Sequence, residues 1–382
     1  MRKRETRTHL TVLFALLGAV ASALPASLPS MALEFAVPVS HLLNAVPLMF
    51  AGLFLGVALA PVLASKIREG ALIRAGLLLV ASALFLLGIS PTPAIFFVAA
   101  VLLGGGFGVL EVLGTSAAKR LRADTASKLT TLNAIFAISA FTTPIVYALI
   151  ATVFFPQLTF GVLFGIALLF GCVFRGAESA LPQKRVPVTS DKATAAFMIA
   201  VFFYVGAETV IAGRSSVLVS ELGGVSAELA AMGGSSFWGL LALGRVLSIA
   251  LTPRVLSTRV ALPLWLFLAG GSLVAPWLFW EAMSSLGILV AFGLATIAAG
   301  PVYALMVGVA LDAQHTQSAV SLTSALVVAG ALGGFVVPGI VQGFPRIESA
   351  ALIAGGAFLA ALIFAAAGMV SRHYGSRLEE KV

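Results

Sequence analysis

Hydrophobic positions along this chain neither alternate nor recur every third or fourth residue; they run on, in long blocks with few polar residues, separated by short polar connections. Crossing a hydrocarbon layer about 30 Å thick takes about 20 apolar residues of helix. The sequence offers twelve such blocks: Leu10–Met31, Leu42–Ala64, Ala71–Ile89, Ala94–Leu113, Leu129–Val153, Leu158–Phe174, Ala195–Val219, Leu229–Leu251, Ala261–Phe279, Leu286–Leu311, Ala319–Val341 and Ala350–Val370. They predict twelve membrane-spanning helices, numbered here as spans 1 to 12. Little chain remains between them, so no soluble domain of any size is expected.

The longest polar interruption, Arg175 to Lys192, carries Pro182, Pro187 and four basic residues and falls between spans 6 and 7. It divides the chain into an N-terminal six-helix bundle (1–174), a linker (175–193) and a C-terminal six-helix bundle (194–382). Short matches recur in order about half a chain apart. Gly18-Ala19 returns as Gly206-Ala207, Phe50-x-Gly52-Leu53 as Phe237-x-Gly239-Leu240, and Ala140-x-x-x-Pro144 as Gly334-x-x-x-Pro338. Ordered repeats of this kind mark duplicated halves, from which many carriers are built.

Composition fits this picture. Of 382 residues, 60% are hydrophobic and 10% charged, too few charges to cover a water-exposed fold of this size. With both termini placed in the cytoplasm, twenty of the 23 basic residues fall on the inner side. That asymmetry orients the chain in a cell inner (plasma) membrane and accounts for the net charge of +8 without nucleic acid. Arg2 to Arg4, the first apolar block and Ala21-Ser22-Ala23 also resemble a signal peptide, but keeping the block as span 1 leaves every basic loop inside. One cysteine and four scattered histidines exclude a disulfide framework and argue against a zinc site. No cofactor is expected. The absence of a phosphate-cradling Gly-x-x-x-x-Gly-Lys motif and of a converging Ser/His/Asp set argues against an ATP-driven pump and an enzyme.

Helix count, central basic loop and paired halves resemble the major facilitator superfamily over essentially the whole chain. A narrower resemblance, to the fucose and glucose permease branch, rests on Tyr204-Val205-Gly206-Ala207-Glu208 in span 7, Phe237-Trp238-Gly239 and Gly244-Arg245 in span 8, and Gly106-x-Gly108-x-x-Glu111 in span 4. The resemblance implies an all-α polytopic fold of two pseudo-symmetric bundles, alternating access, and a cavity lined by spans 1, 4, 7 and 10. The family's loop between spans 2 and 3 usually holds an Asp. Here it reads Ala64-Ser65-Lys66-Ile67-Arg68-Glu69-Gly70, which leaves Lys66 and Arg68 as gating candidates without the usual acidic partner.

Charged side chains inside a span are costly and usually face a cavity or one another. Glu208 shares a helix face with Tyr204, four residues earlier, and is the leading proton-coupling candidate. Glu111 is the second; at similar depth to Arg245, a gating candidate, it has two equal readings, a contact with Arg245 or the snorkelling of either residue to the headgroups. Arg214 is expected to attract an anionic solute or to sit at the outer interface. Trp238, Tyr303, Asn44 and Asn133 complete the substrate-binding candidates, the aromatic rings on the strength of the resemblance. Pro25, Pro29, Pro144, Pro301 and Pro338 are expected kinks.

A sugar site needs amides or carboxyls to match many hydroxyls. Two Asn, and five Gln at loops and helix ends, suit a solute with fewer polar groups. The sequence therefore predicts a monomeric secondary transporter of a small organic solute, coupled to protons by symport. Proton-antiport drug or metabolite efflux is the alternative, disfavoured because Ser139-Ala140-Phe141-Thr142-Thr143-Pro144-Ile145 lacks the glycines of that subgroup's span 5 motif. A receptor or lipid handler is a third reading, disfavoured by the lack of an output domain.

Overall fold

A computed structural model of the chain describes residues 2–42, 44–119, 125–174, 191–223, 233–251, 257–312, 319–342, 344 and 346–379. Most of the 175–193 linker lies outside the described residues. Within a bilayer every backbone N–H and C=O must be satisfied by the protein itself, and a helix does so inside its own segment. Among the described residues, nine helices are long and apolar enough to cross a membrane. Three shorter apolar helices, Leu48–Ala64, Leu158–Val173 and Ser235–Leu251, fall where spans 2, 6 and 8 were expected.

The spans in order are Arg2–Glu34, Ala45–Ala64, Glu69–Ile89, Pro93–Lys119, Thr125–Val153, Leu158–Val173, Lys192–Gly223, Gly233–Leu251, Thr258–Trp277, a two-piece span 10 (Ser285–Ala299 and Val302–Asp312), Ala319–Gln342 and Ile347–Glu379. Span 10 breaks at Gly300-Pro301, because Pro301 has no N–H to continue the ladder. The helices run uninterrupted through Pro25, Pro29, Pro144 and Pro338. Ser284 caps the start of span 10 by accepting from the Gly287 N–H at 3.2 Å. Asp191 does the same for span 7, taking the Thr194 N–H at 2.5 Å.

The chain forms two compact units. Unit 1 holds residues 1–121, 135–187 and 318–324; unit 2 holds 122–134, 188–317 and 325–382. Large apolar side chains such as Leu149, Leu169, Phe267, Phe335 and Ile363 are exposed, the surface of a protein solvated by lipid. Lipid tails are as apolar as leucine, so helices here associate through close packing rather than hydrophobic expulsion. Small residues make that possible. In unit 1 a Cβ on Gly104 would overlap the Met49 carbonyl of span 2, and one on Gly18 the Phe136 carbonyl of span 5. In unit 2 a Cβ on Gly244 would overlap the Ile297 carbonyl of span 10, and one on Gly333 the Phe202 carbonyl of span 7. The pairing of spans 2 with 4 and 1 with 5 thus recurs as 8 with 10 and 7 with 11. Gly18 and Gly206, matched in the sequence, both lie at these approaches: Gly206 meets Val337 and Gly333 of span 11.

Candidate functional site

Four polar side chains meet within unit 2. Tyr204, on span 7, is fully buried, and its hydroxyl lies 3.0 Å from the Glu208 carboxylate oxygen Oε1, one turn further on. The spacing that put both on one face brings them into contact. The same hydroxyl lies 3.0 Å from the carbonyl of Ala299, the last residue before the break in span 10. The Tyr204 ring stacks on Tyr303 of span 10, centroids 6.4 Å apart at 29°, and tilts against Phe358 of span 12 at 5.9 Å.

Arg245, on span 8, is 4% exposed. Its Nε donates to the Gly300 carbonyl at 2.8 Å, and its guanidinium also donates to the Asn133 carbonyl of span 5 at 2.5 Å. Its charge acts on both Glu208 and Tyr204. The Gly244 approach explains how a guanidinium reaches a backbone carbonyl on a neighbouring helix: with no side chain at 244, spans 8 and 10 lie backbone to backbone.

Asn133 is half-buried, and its side-chain amide donates to Leu129 of its own helix at 2.9 Å, so its backbone carbonyl is what holds Arg245. Trp238 is half-buried two turns before Arg245, its ring edge-on to Phe237 at 5.4 Å. Arg214 is half-buried, six residues beyond Glu208 on span 7. Glu111 lies half-buried on span 4 of unit 1. Asn44 is exposed at the start of span 2, its amide donating to His41 at 3.1 Å. Lys66 and Arg68 are exposed in the turn between spans 2 and 3. Tyr204, Glu208, Tyr303 and Arg245 therefore come together, with the Asn133 carbonyl.

Sequence reasoning missed the two consecutive carbonyls of the span 10 break. It also missed Asp312, whose Oδ2 accepts from the Thr125 N–H at the start of span 5 at 3.3 Å, and Ser324, whose hydroxyl donates to the Val57 carbonyl at 2.6 Å. The Pro after Gly300 was a signal for the first. Nothing in the sequence signals a helix carbonyl's partner on another helix.

The helices and their order give the fold seen in solved structures of major facilitator transporters. Three solved structures illustrate it. A point variant of the Escherichia coli fucose:proton symporter FucP superposes with a TM-score of 0.74 at 19% identity, over 94% of this chain and 97% of that one. The proton:xylose symporter XylE, with a brominated deoxyglucose bound, gives 0.76 at 14% identity, over 95% and 94%. The human organic anion transporter MFSD10 gives 0.74 at 15% identity, over 96% and 100%. No family model matches the sequence, and no curated protein matches it.

Proposed function

We propose that this chain is a secondary active transporter that imports a small organic solute by proton symport. The observation that carries the reading is Glu208, an acid within a membrane span, held by the buried Tyr204 hydroxyl and acted on by the Arg245 charge, in a fold shared with proton symporters. A carboxyl so placed can take up a proton when the cavity opens to one side and release it on the other. In this reading residues 1–174 and 194–382 act as two six-helix bundles joined by the 175–193 linker, giving alternating access from a monomer in the cell inner membrane with both termini cytoplasmic.

FucP and XylE carry sugars, and MFSD10 carries organic anions. For this chain we favour a solute with few hydroxyls and at most one charge, answered by Glu208, Arg214 or Arg245. Both asparagine amides are spent on carbonyls close by in their own chain segment, and Gln157 is taken by Glu34. Ser116, Thr130 and Thr296 likewise bond back to their own helices, at 2.7, 2.8 and 2.8 Å. A hexose would need such groups facing outward, because each unmatched hydroxyl costs about 1–3 kcal/mol. Trp238 and Tyr303 supply aromatic surface for the solute.

The test is transport in proteoliposomes. A panel of amines, organic acids, sugars and drugs is screened first by thermal shift, and any stabilising solute is then followed under an imposed pH gradient. Glu208→Gln is expected to abolish gradient-driven accumulation while leaving solute exchange intact. Accumulation by Glu208→Gln at the rate of the unaltered protein would falsify the coupling role. Solute expulsion driven by inward proton flow would instead establish antiport efflux.

A further inference from the structure

The break in span 10 leaves a precise accounting of hydrogens. The Gly300 N–H is shared by the carbonyls of Thr296 and Ile297, at 3.1 and 3.2 Å, and the Pro301 carbonyl accepts from the Leu305 N–H at 3.0 Å. Between them, the Gly300 carbonyl has the Arg245 Nε and the Ala299 carbonyl has the Tyr204 hydroxyl. A carbonyl left without a donor at this depth is costly, so these two contacts hold the break in its present geometry.

One of them is conditional. The Tyr204 hydroxyl has a single hydrogen and two neighbours at the same 3.0 Å, the Ala299 carbonyl and the Glu208 carboxyl oxygen. A carbonyl accepts in every state. A carboxylate also only accepts, whereas a carboxylic acid donates. When Glu208 is ionised, two acceptors compete for one hydrogen. When it carries a proton, the acid donates to the Tyr204 oxygen, the Tyr204 hydrogen goes to Ala299, and every partner is satisfied. Tyr204 is fully buried, so bulk water offers no substitute.

We propose that Tyr204 acts as a positioning residue that reads the proton on Glu208 and transmits it to the break in span 10: the Ala299 carbonyl keeps its donor while Glu208 is protonated and loses it on ionisation. This rests on the proton-carrying role of Glu208 and adds the path by which that proton moves a helix. Arg245, from span 8, acts on both residues through its charge while its Nε donates to the Gly300 carbonyl, an acceptor in either state; Tyr303, from span 10, stacks on Tyr204; Phe358, from span 12, is apolar. The break is then tight with the proton bound and loosened without it.

The full chain in lipid nanodiscs allows a test that needs no solute. Infrared difference spectra between acid and alkaline buffer report a protonated carboxyl by its C=O stretch, and hydrogen exchange of peptides spanning 296–306 reports the break, corrected against an unstructured peptide at each pH. The unaltered protein is expected to show a carboxyl band that is lost in Glu208→Gln and moves to higher frequency in Tyr204→Phe. Its break is expected to exchange about threefold to tenfold more slowly when Glu208 is protonated, the range one hydrogen bond accounts for. Glu208→Gln, a permanent donor, should be protected at every pH, and Tyr204→Phe at none. pH-dependent protection that survives Tyr204→Phe overturns the relay and leaves the coupling role of Glu208 standing. A carboxyl band unchanged in Glu208→Gln removes that coupling role itself. Should Tyr204→Phe fail to give monodisperse protein, Glu208→Gln decides alone: a protected, pH-independent break supports the relay, and an unprotected one refutes it.

Discussion

Arg245 shows how much one side chain can settle in a membrane protein. A guanidinium carries five N–H donors in a fixed fork, and this one spends donors on the Gly300 and Asn133 carbonyls while buried. Lysine has the charge but not the fork, so Arg245→Lys is expected to lose at least one of the two bonds. Arg245→Met loses both; the Asn133 carbonyl lies mid-helix in span 5 and keeps its own helix's N–H, but the Gly300 carbonyl at the break is left unpaired at a cost of about 1–3 kcal/mol, so the variant's thermal unfolding in detergent should come a few degrees below that of Arg245→Lys. Equal melting temperatures for the two variants would show that the carbonyl contacts contribute nothing. At this scale the sequence was informative where chemistry lies in side chains close along one helix: Tyr204 and Glu208 meet as their four-residue spacing requires. It was uninformative for Asn133, whose side chain turns back to Leu129 while its carbonyl does the holding. Every residue has a carbonyl, so no residue type marks the one that matters.

Among the elements, the glycine approaches carry the packing. Gly244→Ala would place a methyl against the Ile297 carbonyl, where only backbone stands and nothing can yield, whereas a Cβ on Gly271 meets nothing within 4 Å. Gly244→Ala is therefore expected to cut the yield of monodisperse protein on gel filtration, and Gly271→Ala to leave it unchanged. Span 10 offers the complementary case. Pro301→Ala restores a backbone N–H at the break and should let the two pieces join, raising hydrogen-exchange protection there while slowing transport. Faster or unaltered transport with a protected break would show that the interruption is not used. The sequence marked Pro301 as one of five prolines alike; the helices absorb the other four without interruption. What distinguishes Pro301 is its neighbours, for Tyr204 and Arg245 supply donors to the carbonyls that an interrupted helix exposes.

For the whole molecule the proposed direction has a sign that pH reveals. Symport consumes protons from the outside, so initial uptake into cells should rise as the medium is acidified at constant internal pH and fall as it is made alkaline. Efflux by antiport would instead lower retention of the solute under the same acidification. Reporter fusions at residue 382 and in the 313–318 segment are expected to read cytoplasmic, and one near Arg346 external; a C-terminal reporter read as external would overturn the orientation drawn from the basic residues.

The sequence by itself determined that the chain crosses a membrane as helices, about how many, and where the polar side chains interrupt them. It could do so because a bilayer leaves the backbone only the helix or the closed barrel, and unbroken apolar blocks of about 20 residues suit the helix and need no partner to be recognised. Only the tertiary structure decided which of those side chains meet and what they hold. Tyr204, Glu208, Arg245 and Tyr303 come from three helices separated by up to about a hundred residues, and their shared targets are backbone atoms at a break. Such contacts depend on how closely two helices approach, which a missing Cβ at Gly244 permits but does not announce.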